Sequence, residues 1–211
     1  MTPTTHLSLG LLLTAAAGMI DVVGFIELGG FYTSFMSGNT TQLGAGLAQL
    51  GPGLALPAGL IAMFVAGSFL GSLVSSIGNH RGRIGVLSIV LAGLLVTLTL
   101  HAQGFSTAHA MLTLAAAAGA QNAILPQSGA ARLGTTFVTG TLFAVGQDLA
   151  RAVRGEAPPL RWLQHLLVWF ALLLGAAVGA AAYGLWQVGA LIAPGAVYLS
   201  YLVGYVVRSP R

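Results

Sequence analysis

The chain contains no cysteine, and its eight basic residues are all arginine, so lysine is absent as well. The lack of cysteine excludes disulfides, thiolate metal sites and cysteine nucleophiles. Charged residues make up only 6% of the 211 residues, whereas a soluble domain carries about 25%. Apolar residues are abundant instead, at 56% of the chain, and the mean hydropathy is +0.88. This composition indicates an integral membrane protein.

Six apolar stretches are long enough, or nearly long enough, to cross a bilayer, which takes about 20 residues. Two shorter stretches are interrupted by polar residues and by glycine, and we predict that they are re-entrant or broken helices. The predicted fold is a single all-α polytopic membrane domain, residues 1–211, with about six transmembrane helices and these two short ones. The six long stretches cover about 7–30, 54–77, 84–101, 107–125, 162–185 and 189–207, and the two short ones about 33–49 and 134–150.

The arginines predict the orientation of the chain in the membrane. If neither short segment crosses, every arginine between or after the apolar stretches falls on one side, and the loops near residues 50, 104 and 187 contain none. Arginine is retained in cytoplasmic loops, so both termini are predicted to be cytoplasmic. The basic residues thus report orientation, and we expect no nucleic-acid partner. The arginines are Arg81, Arg83, Arg132, Arg151, Arg154, Arg161, Arg208 and Arg211.

The two halves of the sequence resemble each other. AGMIDVVGF, from Ala17, aligns with AGAQNAILP, from Ala118, which places Asp21 opposite Asn122. After a gap of one residue, TSFMSGNTTQLG aligns with TTFVTGTLFAVG. With three crossings in each half, the second half is inverted relative to the first, an arrangement common in transporters. The halves are predicted to span about 7–101 and 107–207.

The stretch GMIDVVGFIELGGFYTSFMSGNTTQLG resembles the signature of the YoaK family, also described as domain of unknown function 1275. The resemblance covers nearly the whole chain. It implies a multi-pass protein of the bacterial plasma (inner) membrane. The family has no established function, so the resemblance implies no catalytic, ligand or cofactor residues.

The polar segment within SFMSGNTTQLG is the first candidate for a binding site. Irregular polar backbone in a bilayer is tolerated where it is buried in protein or lines a wet cavity. These side chains suit a small polar or ionic solute, but they could equally serve helix packing, as hydroxyls often do in membrane bundles. The second segment has no Asn or Gln at the positions that match Asn39 and Gln42, and there packing is favoured. The candidates are Ser34, Ser37, Gly38, Asn39, Thr40, Thr41 and Gln42, with Thr139 and Gly140 in the second segment.

Asp21 is the sharpest single candidate, because an ionisable side chain within a membrane helix costs about 2.5 to 3.5 kcal/mol on insertion scales. It could carry a proton or bind a cation. Alternatively, it could be a hydrogen-bonded residue that ties its helix to the polar segment. Its repeat partner Asn122 is uncharged, and its nearest polar neighbours are predicted to be Asn39, Thr40 and Thr41.

The remaining charged residues have simpler interpretations. Glu27 is predicted to be a hydrated carboxylate near the outer interface. Asp148 and Arg151, three residues apart, are predicted to form an ordinary helical ion pair.

Together these features predict a small-solute transporter, proton-coupled through Asp21, with a polar site near the midplane at the repeat interface. A passive channel and a non-transporting scaffold or sensor subunit are the alternatives. No reactive constellation or phosphate-binding loop is present in the sequence, so we expect neither an enzyme nor a cofactor or metal. The expected partners are the lipid bilayer and an unidentified small solute, with a homo-oligomer allowed by glycine pairs such as Gly67 with Gly71.

Overall fold

The structure is a computed structural model that describes residues 3–49, 52–124 and 138–207. These residues form eight α-helices and two short 3-10 helices, and they contain no strand. The all-α prediction is therefore confirmed. The α-helices are α1 (Pro3–Glu27), α2 (Met36–Gln49), α3 (Ala55–Ser75), α4 (Asn79–Ala102), α5 (Thr107–Gln121), α6 (Val138–Val153), α7 (Trp162–Trp186) and α8 (Ile192–Val207), and the 3-10 helices are Pro52–Leu54 and Gln187–Leu191.

The six predicted long stretches coincide with α1, α3, α4, α5, α7 and α8, but two of these helices are short. By length and composition, four apolar stretches of the described residues can cross a membrane, and one of them, Trp162–Val207, contains both α7 and α8. Helix α5 has 15 residues, or roughly 22 Å at 1.5 Å per residue, less than the apolar thickness of a bilayer. It was predicted to continue to about residue 125. It ends at Gln121, close before Pro126, which disfavours helix in the residue preceding it.

The two short segments contain α2 and α6, of 14 and 16 residues. Each is continuous over its described length, so neither is broken within it. Residues 134–137 of the second predicted segment lie outside the described part of the chain. The irregular backbone of the first segment instead precedes its helix, in residues 28–35.

Two helix crossings bring backbones into direct contact. Their glycines lie in matching stretches of the two halves, because Gly67 and Gly71 in AGSFLGSL resemble Gly175 and Gly179 in LGAAVGAA. A Cβ atom added to Gly175 of α7 would lie 2.0 Å from the carbonyl oxygen of Ala15 in α1. A Cβ added to Gly67 of α3 would lie 1.9 Å from the carbonyl oxygen of Ala116 in α5. Only glycine permits so close an approach. The same correspondence holds in the opposite direction, for Gly18 against Leu172 and Ala176 and for Gly119 against Phe64 and Ser68.

These contacts also give the helix directions. Along α1 and α7, Ala15 lies beside Gly175 and Glu27 beside Tyr183, so the two helices run parallel. Along α3 and α5, Gly59 lies beside Leu112 and Gly71 beside Ala120, so this pair is parallel as well. Helix α4 runs antiparallel to α5, as the contacts of Gly93 with Ala117 and of Thr97 with Thr113 show.

The arginines of the described residues lie at one end of the bundle. The Tyr201 hydroxyl donates to the carbonyl of Leu9 (3.0 Å), and Arg83 donates to the Tyr205 hydroxyl (2.9 Å), so the end of α8 lies beside the starts of α1 and α4. Helix α7 is parallel to α1 and starts at the same end, where α6 finishes against it. We call this the arginine end, because it holds all the arginines of the described residues: Arg81, Arg83, Arg151, Arg154 and Arg161.

The chain therefore enters and leaves the segment that contains α2 at the same end of the bundle. Helix α1 finishes opposite the arginine end, and α3 begins there, since α3 leads through a short turn into the start of α4. The segment that contains α2 therefore makes no net passage along the bundle, as the arginine distribution predicts.

The buried core lies between α1, α4, α5 and α8, with large apolar side chains such as Ile20, Val90 and Met111 fully enclosed. The outer faces of the helices expose apolar residues, among them Phe69, Leu95 and Leu174. Apolar side chains facing both inward and outward are typical of helices that pack together in lipid.

Candidate functional site

The candidate site is built on the loop 28–35, which joins α1 to α2 and which we call the α1–α2 loop. Helix α1 ends there because Gly29 and Gly30 have positive φ values of 62° and 112°, in a region that is open to glycine at little cost. The chain then turns back alongside α1. Gly24 leaves room for this return, since an added Cβ would lie 2.4 Å from a methyl group of Thr33.

Asp21 forms hydrogen bonds with the α1–α2 loop where the loop runs back alongside α1. Its Oδ1 atom accepts hydrogen bonds from the backbone amide of Ser34 (2.8 Å) and from both the amide and the hydroxyl of Thr33 (3.2 Å each). Both Thr33 and Ser34 are buried. One carboxylate oxygen thus satisfies three donors of an irregular segment.

Two side chains of α2 hold the same loop from its other side. Asn39 is fully buried, and its Oδ1 accepts from the amide of Tyr32 (3.0 Å) while its Nδ2 donates to the carbonyl of the same residue (2.7 Å). Gln42 donates through Nε2 to the carbonyl of Gly30 (2.9 Å). These two amides replace backbone partners that the loop lacks.

The hydroxyls of α2 serve their own helix. Thr40 donates to the carbonyl of Met36 (2.8 Å) and Thr41 to that of Ser37 (3.1 Å), and all three hydroxyl-bearing residues are exposed. The expectation that Asn39, Thr40 and Thr41 are the nearest polar neighbours of Asp21 was wrong. The loop lies between Asp21 and α2 and takes the hydrogen bonds of both.

Gly38 allows a close approach of two aromatic rings. An added Cβ would lie 2.7 Å from the ring of Phe35 and 2.9 Å from that of Tyr32. The ring of Tyr32 packs edge to face against Phe35, with centroids 5.1 Å apart. The absence of a side chain at Gly38 therefore leaves room for the rings of Tyr32 and Phe35 in the α1–α2 loop.

The candidates of the second half lie elsewhere. Asn122 follows the end of α5, and its Nδ2 donates to the carbonyl of Ala118 (3.2 Å). Thr139 and Gly140 are exposed on α6, and no atom lies within 4 Å of a Cβ added to Gly140. The repeat partners of Thr33 and Ser34 fall outside the described residues.

Three polar contacts were missed by reading the sequence. Inside the core, the Tyr198 hydroxyl donates to Oε1 of Gln121 (2.6 Å), and Nε2 of Gln121 has no partner among the described residues. Glu27, expected at a hydrated interface, accepts from the hydroxyl of Tyr183 (2.7 Å). The partners are 77 and 156 residues apart in the chain, so no local spacing could indicate them.

Asp148 is the third of these contacts. Its expected partner Arg151 lies 3.8 Å away, but the Nε atom of Arg161 is closer, at 3.2 Å, and Nε2 of His165 lies at 3.5 Å. The Asp148 side chain is only 5% exposed. The helical pair predicted from sequence is thus part of a larger cluster around a buried carboxylate between α6 and α7.

The helical bundle, its apolar outer faces and its four membrane-length stretches define a polytopic α-helical membrane protein. A family model described as Protein of unknown function (DUF1275) matches residues 9–204, and the chain belongs to this family. The chain is also 35% identical over 177 residues to a protein of Rhizobium meliloti (strain 1021) described as UPF0700 transmembrane protein RA0705. That alignment covers 82% of this chain and 76% of the relative. The resemblance noted in the sequence is therefore confirmed, and no solved structure matches the chain.

Proposed function

We propose that the protein is a proton-coupled transporter of a small polar or ionic solute in the bacterial inner membrane. The observation that carries the proposal is Asp21, an acidic residue within the apolar helix α1 whose Oδ1 atom binds three donors of the α1–α2 loop. Ionisable residues within membrane helices are most often functional, because their insertion is costly. The proposal assigns transport and no catalytic step.

The paired helix crossings support this proposal. The contact of α1 with α7 and that of α3 with α5 use equivalent glycines and alanines of the two halves. A pseudo-two-fold axis that relates inverted repeats would produce this correspondence, and transporters of that design bind their substrates at the repeat interface. With the arginine end in the cytoplasm, Asp21 lies nearer the outer side.

The coupling step follows from the hydrogen bonds of Asp21. Bonds to an ionised acceptor are about twice as strong as bonds between neutral groups. A proton that binds the Asp21 carboxylate removes its charge and weakens its hold on Thr33 and Ser34. The α1–α2 loop is then free to move with α2, and this motion opens the space beside Asp21 to solute.

The hydrogen bonds also favour a second candidate, a non-transporting membrane subunit. Asn39 and Gln42 use their amide groups to hold the α1–α2 loop, and Thr40 and Thr41 bond within their own helix. In this case Asp21 only fastens the loop. A passive channel would share the fold but would not respond to a proton gradient.

The test begins with a thermal-shift screen of the purified protein against metabolites and ions, because a ligand of the folded state raises its stability. Proteoliposome uptake of the ligand found is then measured with and without a pH gradient. Asp21→Asn should abolish the response to the gradient while the protein stays folded, since an amide preserves acceptance of the loop's hydrogen bonds. Glu27→Gln is the matched control, because it removes another carboxylate of α1. In the described structure the Glu27 carboxylate binds the hydroxyl of Tyr183 and accepts no hydrogen bond from the loop.

The outcomes separate the candidates. Loss of gradient-driven uptake in Asp21→Asn alone supports proton coupling at this residue. Uptake by the parent protein that ignores the gradient indicates a channel. An Asp21→Asn variant that responds as the parent does removes Asp21 from the mechanism. Absence of uptake for every ligand that stabilises the parent protein favours the non-transporting subunit.

A further inference from the structure

A second polar cluster lies at the arginine end, away from the candidate transport site. Asp148, near the end of α6, is buried against the start of α7. It faces Nε of Arg161 at 3.2 Å, Nε2 of His165 at 3.5 Å and a terminal nitrogen of Arg151 at 3.8 Å. One buried carboxylate therefore positions two guanidinium groups on neighbouring helices.

The two arginines remain available to a further anion. Arg161 approaches Asp148 through Nε, the inner nitrogen of its guanidinium group, so this contact does not use its two terminal nitrogens. The side chains of Arg161 and Arg151 are 47% and 51% exposed. The nearby Arg154 is instead paired with Glu156. The exposed surface between α6 and α7 thus carries an excess of positive charge.

An open groove adjoins Arg161, whose partner Asp148 also contacts Arg151. It has a volume of about 500 Å³ and is lined by Pro158, Pro159, Leu160, Arg161 and Gln164. Leu160 is exposed, and so is Val153 at the end of α6. Basic and apolar groups therefore lie side by side.

The groove lies beside the start of a membrane-length apolar stretch. The apolar stretch that contains α7 begins at Trp162, directly after the groove. The Trp162 indole donates to the carbonyl of Pro159 (2.9 Å), and tryptophan is enriched where membrane meets water. A ligand in the groove can therefore place a charged group in the headgroup layer and hydrocarbon in the bilayer.

We propose that this groove binds an anionic phospholipid. The phosphodiester is held by the terminal nitrogens of Arg161 and Arg151, because guanidinium groups bind phosphate through paired hydrogen bonds. The acyl chains lie over Leu160. Basic pockets between membrane helices on the cytoplasmic side bind such headgroups. The proposal depends on the membrane fold and on the orientation of the arginine end, and it is independent of transport.

The test uses native mass spectrometry of the full-length protein with phosphatidylglycerol and phosphatidylcholine of identical acyl chains. We expect preferential retention of phosphatidylglycerol, and about a fivefold loss of that retention in Arg151→Gln. Arg161→Lys should also weaken retention, since lysine keeps the charge beside Asp148 but lacks the planar fork of donors. Arg81→Gln is the matched control, because it removes the same charge from an exposed position at the same end.

Each outcome bears on the proposal. Equal loss of retention in Arg81→Gln and Arg151→Gln would reduce the effect to diffuse surface charge and overturn a defined site. Equal retention of the two lipids would do the same. Displacement of phosphatidylglycerol by excess inorganic phosphate alone would identify a free phosphate site instead. If Arg161→Lys fails to fold, Arg151→Gln still decides, because Arg151 is half exposed and its contact with Asp148 is long.

Discussion

Asn39 and Gln42 show what two polar side chains of the first short segment do: they bind the backbone of the α1–α2 loop, which Asp21 of α1 also binds. An amide that is left unpaired in hydrocarbon costs several kcal/mol, so an irregular loop within a membrane protein needs such partners. The polar segment is therefore required by the loop. In the proposed mechanism, Asp21 has the functional role because its charge can change. The neutral Asn39 and Gln42 keep their hydrogen bonds to the loop throughout.

A prediction at the residue scale concerns Asn39. Asn39→Ala leaves the amide and carbonyl of Tyr32 without their side-chain partners in a buried setting, which should lower stability by about 2 kcal/mol or more. Thr40→Ala is the control, because Thr40 is exposed and bonds only within its own helix, and its loss should cost less than about 0.5 kcal/mol. The two variants are compared by thermal unfolding in the same detergent. Similar melting temperatures would show that the loop does not depend on Asn39.

At the scale of the helix, hydropathy located every long helix of the described residues but not all of their ends. Apolar composition continues past Gln121 and through Gln187–Leu191, so it could not show that α5 ends early or that a 3-10 turn precedes α8. Composition singled out the candidate segment but could not show its hydrogen bonds, because the turn at Gly29 and Gly30 decides which residues face Asp21. Positive φ values are not visible in hydropathy.

Contacts between distant segments were the least predictable. Asp148 has an acceptable partner three residues away, and nothing in the local sequence shows that Arg161 lies closer. The glycine repeats were different, because small residues four apart indicate close helix contact. They indicated a close helix contact at Gly67 and Gly71, but not which helices meet there.

The glycine crossings give a prediction at this scale. Gly67→Ala and Gly175→Ala place a methyl group against a carbonyl oxygen of the facing helix, and overpacking of this kind costs about 1 to 3 kcal/mol or more. Because the two contacts are equivalent, the two losses should be similar. Thermal unfolding of the purified variants measures them.

Gly184→Ala is the matched control within α7. No atom lies within 4 Å of a Cβ added at Gly184, and alanine is favoured over glycine in a helix by about 1 kcal/mol. This variant should be as stable as the parent protein or more stable. A Gly175→Ala variant that unfolds no earlier than Gly184→Ala would contradict the close contact of α1 with α7.

At the scale of the whole molecule, the position of the arginines relates the helix packing to the orientation of the protein in the membrane. Arg83 at the start of α4 and Arg161 at the start of α7 come from different halves, yet the helix packing puts them at one end. Because the rule for arginine in loops concerns insertion and not packing, it supplies independent grounds for placing this end in the cytoplasm. The inverted-repeat proposal depends on that agreement, since an odd number of crossings in each half is what inverts the second half.

Two serines allow this orientation to be measured in a chain that has no cysteine of its own. Ser76 lies in the turn between α3 and α4 at the arginine end, Ser106 lies before α5 at the opposite end, and both are exposed. Serine and cysteine are close in size, so Ser76→Cys and Ser106→Cys should each fold. In intact cells an impermeant maleimide should label Ser106→Cys, and it should label Ser76→Cys only after the cells are permeabilised. The opposite pattern would leave the helix arrangement intact but reverse the proposed orientation, and with it the leaflet of the lipid groove. Labelling of both in intact cells would mean that α4, which separates the two positions, does not cross the membrane, and the inverted-repeat proposal would then fail.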